Sequence, residues 1–152
     1  MVQTYSHINN NYSVDMMFAY VNLFGHPVTT IDIDSIIKTL EYKGWSDPKT
    51  KTYYSPLDVI SDPKNKKYIE DFNRIHNSNL NYPIIIDNTN VIDGVHRLTK
   101  AHLLGKKKIK AYVFSKPLMK KFLIDRKRNW TKINNMQTYD YIKLFHQRFC
   151  NK

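Results

Sequence analysis

The chain has 152 residues, 41% of them hydrophobic and 13% aromatic, which suits a folded domain with a core and excludes a disordered chain. Its formal net charge of +11 favours polyanionic partners such as nucleotides, nucleic acid or an anionic surface, against the plainer reading of a solubilising lysine coat. A single cysteine, Cys150, excludes an intramolecular disulfide; no apolar run approaches the ~20 residues that span a bilayer, and the polar start has no signal-peptide core, so a soluble, intracellular protein without membrane association is expected.

In chain order, residues 1–13 are polar and read as loose. Ser13 can cap a helix over 14–24 in which Met17, Phe18, Val21 and Phe24 share a face, with Gly25 as its stop and Pro27 against its continuation. Val28 to Ile31 suit a short strand. Asp32 or Asp34 then caps a second helix, with Ile33, Ile36, Ile37 and Leu40 inward and Gly44 at its end. Residues 45–54 read as a loop whose Trp45, Tyr53 and Tyr54 either pack at a core edge or stack on bases. Ser55-Pro56-Leu57-Asp58 has the form of a capping box with proline at the first helical position, and Asp62-Pro63 repeats the cap-plus-proline signal. In the helix that follows, Tyr68, Ile69, Phe72 and Ile75 form the apolar stripe, while Lys67, Glu70 and Arg74 share the other side.

The stretch from Pro83 to Phe114 reads as strand, turn, strand, helix, strand. Ile84, Ile85 and Ile86 suit a buried strand, Asp87 to Asn90 a tight turn, and Val91 and Ile92 the returning strand. From Val95 the apolar spacing becomes helical through Leu98, Ala101 and Leu104, with Gly105 as the stop. Ile109, Ala111 and Val113 alternate with Lys108, Lys110 and Tyr112, as in a half-buried strand.

The strand-to-helix junction Asp93-Gly94-Val95-His96-Arg97 carries the chemistry. The first N–H groups of a helix lack internal partners and sit at the positive end of its dipole. Gly94 permits close approach to the backbone, while His96 and Arg97 add donors in the first turn. Such a junction is an anion site, most naturally for phosphate. The plainer alternative makes Asp93 an N-cap and Arg97 a surface charge.

At these residues the chain resembles the ParB/sulfiredoxin superfamily, marked by a glycine-started helix after a hairpin strand, and in its Asp-Gly-x-His-Arg form the ParB-related free-serine kinases. The resemblance extends upstream through Ser55-Pro56-Leu57-Asp58-Val59-Ile60, which is similar to the family's opening segment, and through Tyr82-Pro83-Ile84-Ile85-Ile86. It implies an α+β fold, a small mixed sheet with packed helices. Residues 1–152 then form a single domain, with an N-terminal helical extension over 14–50, a core over 53–115 and a basic C-terminal helical extension over 116–152. It further implies a bound nucleoside phosphate (ATP, ADP or CTP) with Mg²⁺. Gly94, Val95, His96 and Arg97 would hold it, Lys67 would take the place of the family's phosphate-binding lysine, and Glu70 and Arg74 would stand where the family has hydroxyl residues. Asp93 would be a metal ligand or catalytic group, and Glu70 a second catalytic carboxylate or metal ligand. The alternative for Lys67, Glu70 and Arg74 is a solvated ion-pair face. Val95 stands where sulfiredoxin chemistry needs a cysteine, which excludes thiol-based reduction of that kind. Val95-His96 also departs from the Gly-Glu-Arg-Arg of the partition proteins, and the stretch after Phe114 is short for their DNA domain.

After Phe114, residues 116–132 are basic, with Trp130 among Lys116, Lys120, Lys121, Arg126, Lys127, Arg128 and Lys132, a pattern open to nucleic-acid contact. Pro117 can start a helix with Leu118, Phe122 and Leu123. Thr138 can cap a last helix carrying Tyr139, Ile142, Phe145 and Phe149, docked on the core or in a homodimer contact. Three functions follow: a nucleotide-dependent kinase or NTPase, a DNA-binding accessory protein with a degenerate pocket (with a nuclease ranked lower for want of clustered carboxylates), and a binding module without turnover.

Overall fold

A computed structural model describes residues 3–125 and 130–150; Arg126, Lys127 and Arg128 of the basic segment lie outside these. The protein is α+β. Its elements are β1 (Thr4–His7), β2 (Asn10–Ser13), α1 (Val14–Phe24), β3 (Thr29–Asp32), two 3-10 turns (Ile33–Ser35 and Ile37–Glu41), β4 (Trp45–Asp47), β5 (Thr52–Tyr54) and α2 (Pro56–Ser61). A 3-10 turn (Lys66–Tyr68) leads into α3 (Ile69–Asn77), followed by β6 (Ile84–Asp87), β7 (Asn90–Asp93), α4 (Val95–Leu103) and β8 (Lys108–Phe114). Then come α5 (Lys116–Lys120), β9 (Leu123–Asp125), α6 (Trp130–Asn135), α7 (Thr138–Phe145) and a wide π-type turn (His146–Cys150). The chain divides into two compact units, Val28–Val113 and the pair of segments Met1–Pro27 and Phe114–Lys152.

The Val28–Val113 unit is built on a sheet in the order β3-β8-β6-β7. The hairpin β6–β7 forms where expected, with Asp87 opposite Asn90 and Asn88 taking the positive φ of 57° that its turn requires. Ile84 and Ile86 of β6, Leu98 and Ala101 of α4, and Ile109 and Ala111 of β8 share one core with Ile33, Ile36 and Leu40. The last three face inward as their spacing requires, but on 3-10 turns rather than on an α-helix. Ile36, at φ −126° and ψ 10°, interrupts the helix, and the Ser35 hydroxyl bonds the Asp32 carbonyl at 2.6 Å instead of leaving it to the helical ladder. β-Branched Ile33, Ile36 and Ile37 add little helix propensity to oppose this.

Residues 45–54 are a hairpin, not a loop, with Trp45 opposite Tyr54. Asp47 shapes its turn by accepting from the Lys49 N–H and the Thr50 hydroxyl, each at 3.0 Å. Tyr54 packs with Val59, Tyr68 and Ile75 in a second core, against which Trp45 and Phe72 also lie, so of the two roles open to these aromatics Tyr54 and Trp45 take core packing. The capping box at α2 is complete: the Ser55 hydroxyl accepts from the Asp58 N–H at 3.2 Å, and the Asp58 carboxylate accepts from the Ser55 N–H at 2.8 Å. Asp62 ends α2 rather than starting a helix, since the residue before a proline is driven out of the α region, and Asn65 caps the following turn. Tyr68 of the preceding turn and Phe72 and Ile75 of α3 face inward, while Ile69 is exposed. Leu104, expected on the buried face of α4, is exposed because the helix has ended and Gly105 turns the chain at φ 71°.

In the other unit, residues 4–13 are not loose but form the antiparallel pair β1–β2, with β9 beside β2. Ser13 caps α1, accepting from the Met16 N–H at 3.1 Å, and Gly25 closes it. The Tyr20, Phe114, Phe122 and Phe149 rings gather at centroid distances of 5.4–6.1 Å. The helix expected to carry Phe122 and Leu123 is only the short α5, and Leu123 opens β9. α7 is capped by Gln137 with Asp140, not by Thr138, and turns Tyr141 and Phe145 inward while Tyr139 and Ile142 are exposed.

Candidate functional site

The junction into α4 is shaped by β6. Gly94 adopts φ 100°, in the left-handed region, and a Cβ there would lie 2.5 Å from Ile84 Cγ2 and 3.3 Å from Arg97 Cζ. Glycine is therefore required, and the groups that crowd it belong to the protein itself. Gly94, at the N-cap position of α4, has no side chain to bond the first turn; the first intrahelical bond runs from the Leu98 N–H to the Gly94 carbonyl at 2.9 Å. Arg97 turns its guanidinium back onto the hairpin. It donates to the Pro83 carbonyl at 2.7 Å, the Tyr82 carbonyl at 3.1 Å and Asp93 Oδ2 at 2.8 Å. The two side chains are only 18% and 16% exposed, so this fork ties the segment leading into β6 to the end of β7. Val95 is half-buried, and its carbonyl accepts from the Thr99 hydroxyl at 2.7 Å.

A separate, open cleft of about 570 Å³ lies between the β4–β5 turn and the start of α3. Lys49, Lys66, Lys67 and Arg74 line it, and all four are exposed. Glu70 lies there too, paired with Arg74 at 2.8 Å, but these side chains are 78% and 62% exposed. An exposed pair of this kind is worth about 0.3–0.5 kcal/mol and opens readily. Asp47 is the fixed carboxylate of the turn, held below the usual range first by the Lys49 N–H and then by the Thr50 hydroxyl, with burial working against both.

Asp71 and Tyr54 form part of the cleft wall, and Asp71 links it to α4. Asp71 Oδ1 meets His96 Nε2 at 3.0 Å, and Asp71 Oδ2 accepts from the Tyr54 hydroxyl. Trp45 stacks on the His96 ring, with centroids 4.4 Å apart and planes 13° from parallel. Burial, and then the bond to Asp71, push the Tyr54 hydroxyl far above the ordinary phenol range, so it remains a donor.

The fold thus distributes the expected site residues over two places. Lys67, Glu70 and Arg74 meet at the cleft. Asp93, Gly94, Val95 and Arg97 form the junction. His96 belongs to the junction by sequence and reaches the cleft wall through Asp71. The two carboxylates expected to be catalytic, Asp93 and Glu70, each hold an arginine. As a seat for Mg²⁺, Asp93 offers one carboxylate whose Oδ2 already accepts from Arg97, and no group of three His, Cys, Asp or Glu gathers for a metal among the described residues. Mg²⁺ commonly takes one or two carboxylates together with substrate phosphates, so a metal here would depend on the ligand's own oxygens. Asp71 is the residue that sequence reading passed over. Its signal was a carboxylate lying between Tyr68 and Ile75 on the apolar face of α3, where a charge needs a partner. In the basic segment, Lys116, Lys120, Lys121, Trp130 and Lys132 are exposed. Compared with family models, curated proteins and solved structures, the chain matches none.

Proposed function

We propose that the Val28–Val113 unit binds a nucleoside phosphate in the cleft over α3, with the phosphates among Lys66, Lys67 and Arg74. The observation that carries this reading is the gathering of four cationic side chains on one cleft whose about 570 Å³ is within the size range of small-ligand sites. Lysine supplies a mobile point charge and arginine a planar fork, and together they suit the spread negative charge of a di- or triphosphate. The exposed Glu70 yields Arg74 at little cost. Arg97 holds the junction in place, bonded to the Tyr82 and Pro83 carbonyls and to Asp93, instead of reaching for the ligand.

The test is thermal unfolding with ATP, ADP, CTP or pyrophosphate, each with and without Mg²⁺. A ligand at a hundredfold over its Kd adds about 2.7 kcal/mol to the native state. The double variant K67A/R74A should keep the unliganded Tm and lose the ligand-induced rise. Absence of a rise with every ligand overturns the reading. A second reading, contact with nucleic acid, draws on the exposed Lys116, Lys120, Lys121, Trp130 and Lys132. It requires binding that weakens steeply with salt, and no binding at low salt removes it.

A further inference from the structure

Asp71 is used by none of the binding groups above, yet it holds together the interior side of the cleft. It lies on α3, 25 residues from His96 in sequence, and its side chain is 14% exposed. One carboxylate oxygen faces His96 Nε2 at 3.0 Å and the other accepts from the Tyr54 hydroxyl, whose ring is itself buried with Tyr68. The carboxylate is therefore anchored from one side and directed at the imidazole from the other.

The chemistry of this arrangement is asymmetric. A carboxylate only accepts hydrogen bonds, so the ring nitrogen facing it must carry a proton. The stack of Trp45 on His96 opposes rotation of the ring out of that plane. In a neutral imidazole one nitrogen donates and the other accepts. We infer that Asp71 is a positioning residue that fixes His96 in the tautomer protonated at Nε2, leaving Nδ1 as the proton-accepting atom of α4's first turn. Asp71 and Tyr54 line the cleft whereas His96 lies behind Asp71, so the inference stands apart from the nucleotide-binding reading. The Tyr54 hydroxyl occupies the other oxygen of Asp71.

Nitrogen-15 NMR of the full chain at pH about 8, where an ordinary imidazole is neutral, reads the tautomer directly, with the His96 signals assigned by their loss in His96→Gln. The wild type should show His96 protonated at Nε2 and bare at Nδ1. Tyr54→Phe, which keeps the Asp71 contact, should retain that pattern. Asp71→Ala should give a mixture of tautomers. A wild-type His96 protonated at Nδ1, or already mixed, overturns the inference without reference to any variant, as does an unchanged tautomer in folded Asp71→Ala. Thermal shifts with pyrophosphate and ATP on the same samples separate the two proposals. An Nε2-protonated His96 with no ligand response supports the role of Asp71 and overturns nucleotide binding; a ligand response with the opposite tautomer does the reverse.

Discussion

Two arginine–carboxylate pairs in the Val28–Val113 unit share the same 2.8 Å separation and the same i,i+4 spacing, and they differ in everything around them. Asp93–Arg97 is mostly withdrawn from water, and Arg97 also satisfies the Tyr82 and Pro83 carbonyls. Glu70–Arg74 stands in solvent on the rim of the cleft. In the first, each partner would leave a poorly solvated charge if the other were removed, so the pair holds the hairpin to the helix. In the second, water replaces either partner at small cost, so Arg74 can serve a ligand. Pair geometry by itself therefore does not say which arginine is structural; its surroundings do.

The strongest way to break this comparison is Arg97→Ala. It should cost about 3 kcal/mol, because Asp93 and the Pro83 carbonyl each lose a donor in a part-buried site. A urea unfolding curve checks it, and a change below the small loss expected at an exposed pair would erase the distinction. Gly94→Ala should follow at about 2 kcal/mol from its φ of 100°, with the 2.5 Å approach to Ile84 adding to the loss. Nearly full stability in that variant would mean that the junction is looser than its geometry.

The serine-capped start of α2 offers a smaller effect against which to compare the glycine start of α4. Ser55→Ala should cost about 1 kcal/mol near neutral pH. Asp58 adds a pH dependence of known sign. The Ser55 N–H first, and the Lys43 ammonium next, hold its folded carboxyl below the usual range. Its stabilisation is therefore complete above the unfolded aspartate pKa of about 3.9 and is lost as pH falls through the lower folded value. Wild type and Asp58→Asn should converge in stability at that acid limit, as read by unfolding at stepped pH. The smallest effect belongs to Glu70→Ala, at most about 0.5 kcal/mol. That variant should bind pyrophosphate more tightly than wild type, because Arg74 is released; weaker binding would give Glu70 a part in the site.

The sequence by itself determined the features written in neighbouring residues. Ser13 and Gly25 bound α1, Ser55 and Asp58 cap α2, Asn88 turns the β6–β7 hairpin, and Leu98 and Ala101 mark the buried face of α4. These follow from capping chemistry, positive φ and periodicity, all of which act within a few residues. The tertiary structure decided the rest. Arg97 bonds carbonyls 14 and 15 residues before it, and His96 meets an aspartate 25 residues away that no local pattern joins to it. In residues 33–41 the isoleucines keep the inward spacing that periodicity requires, while the Ser35 hydroxyl bond to the Asp32 carbonyl turns the backbone from α to 3-10, a competition the spacing did not reveal. Caps and periods are set by the chain's own geometry, whereas the partner of a buried charge is set by whichever distant segment the fold brings within reach.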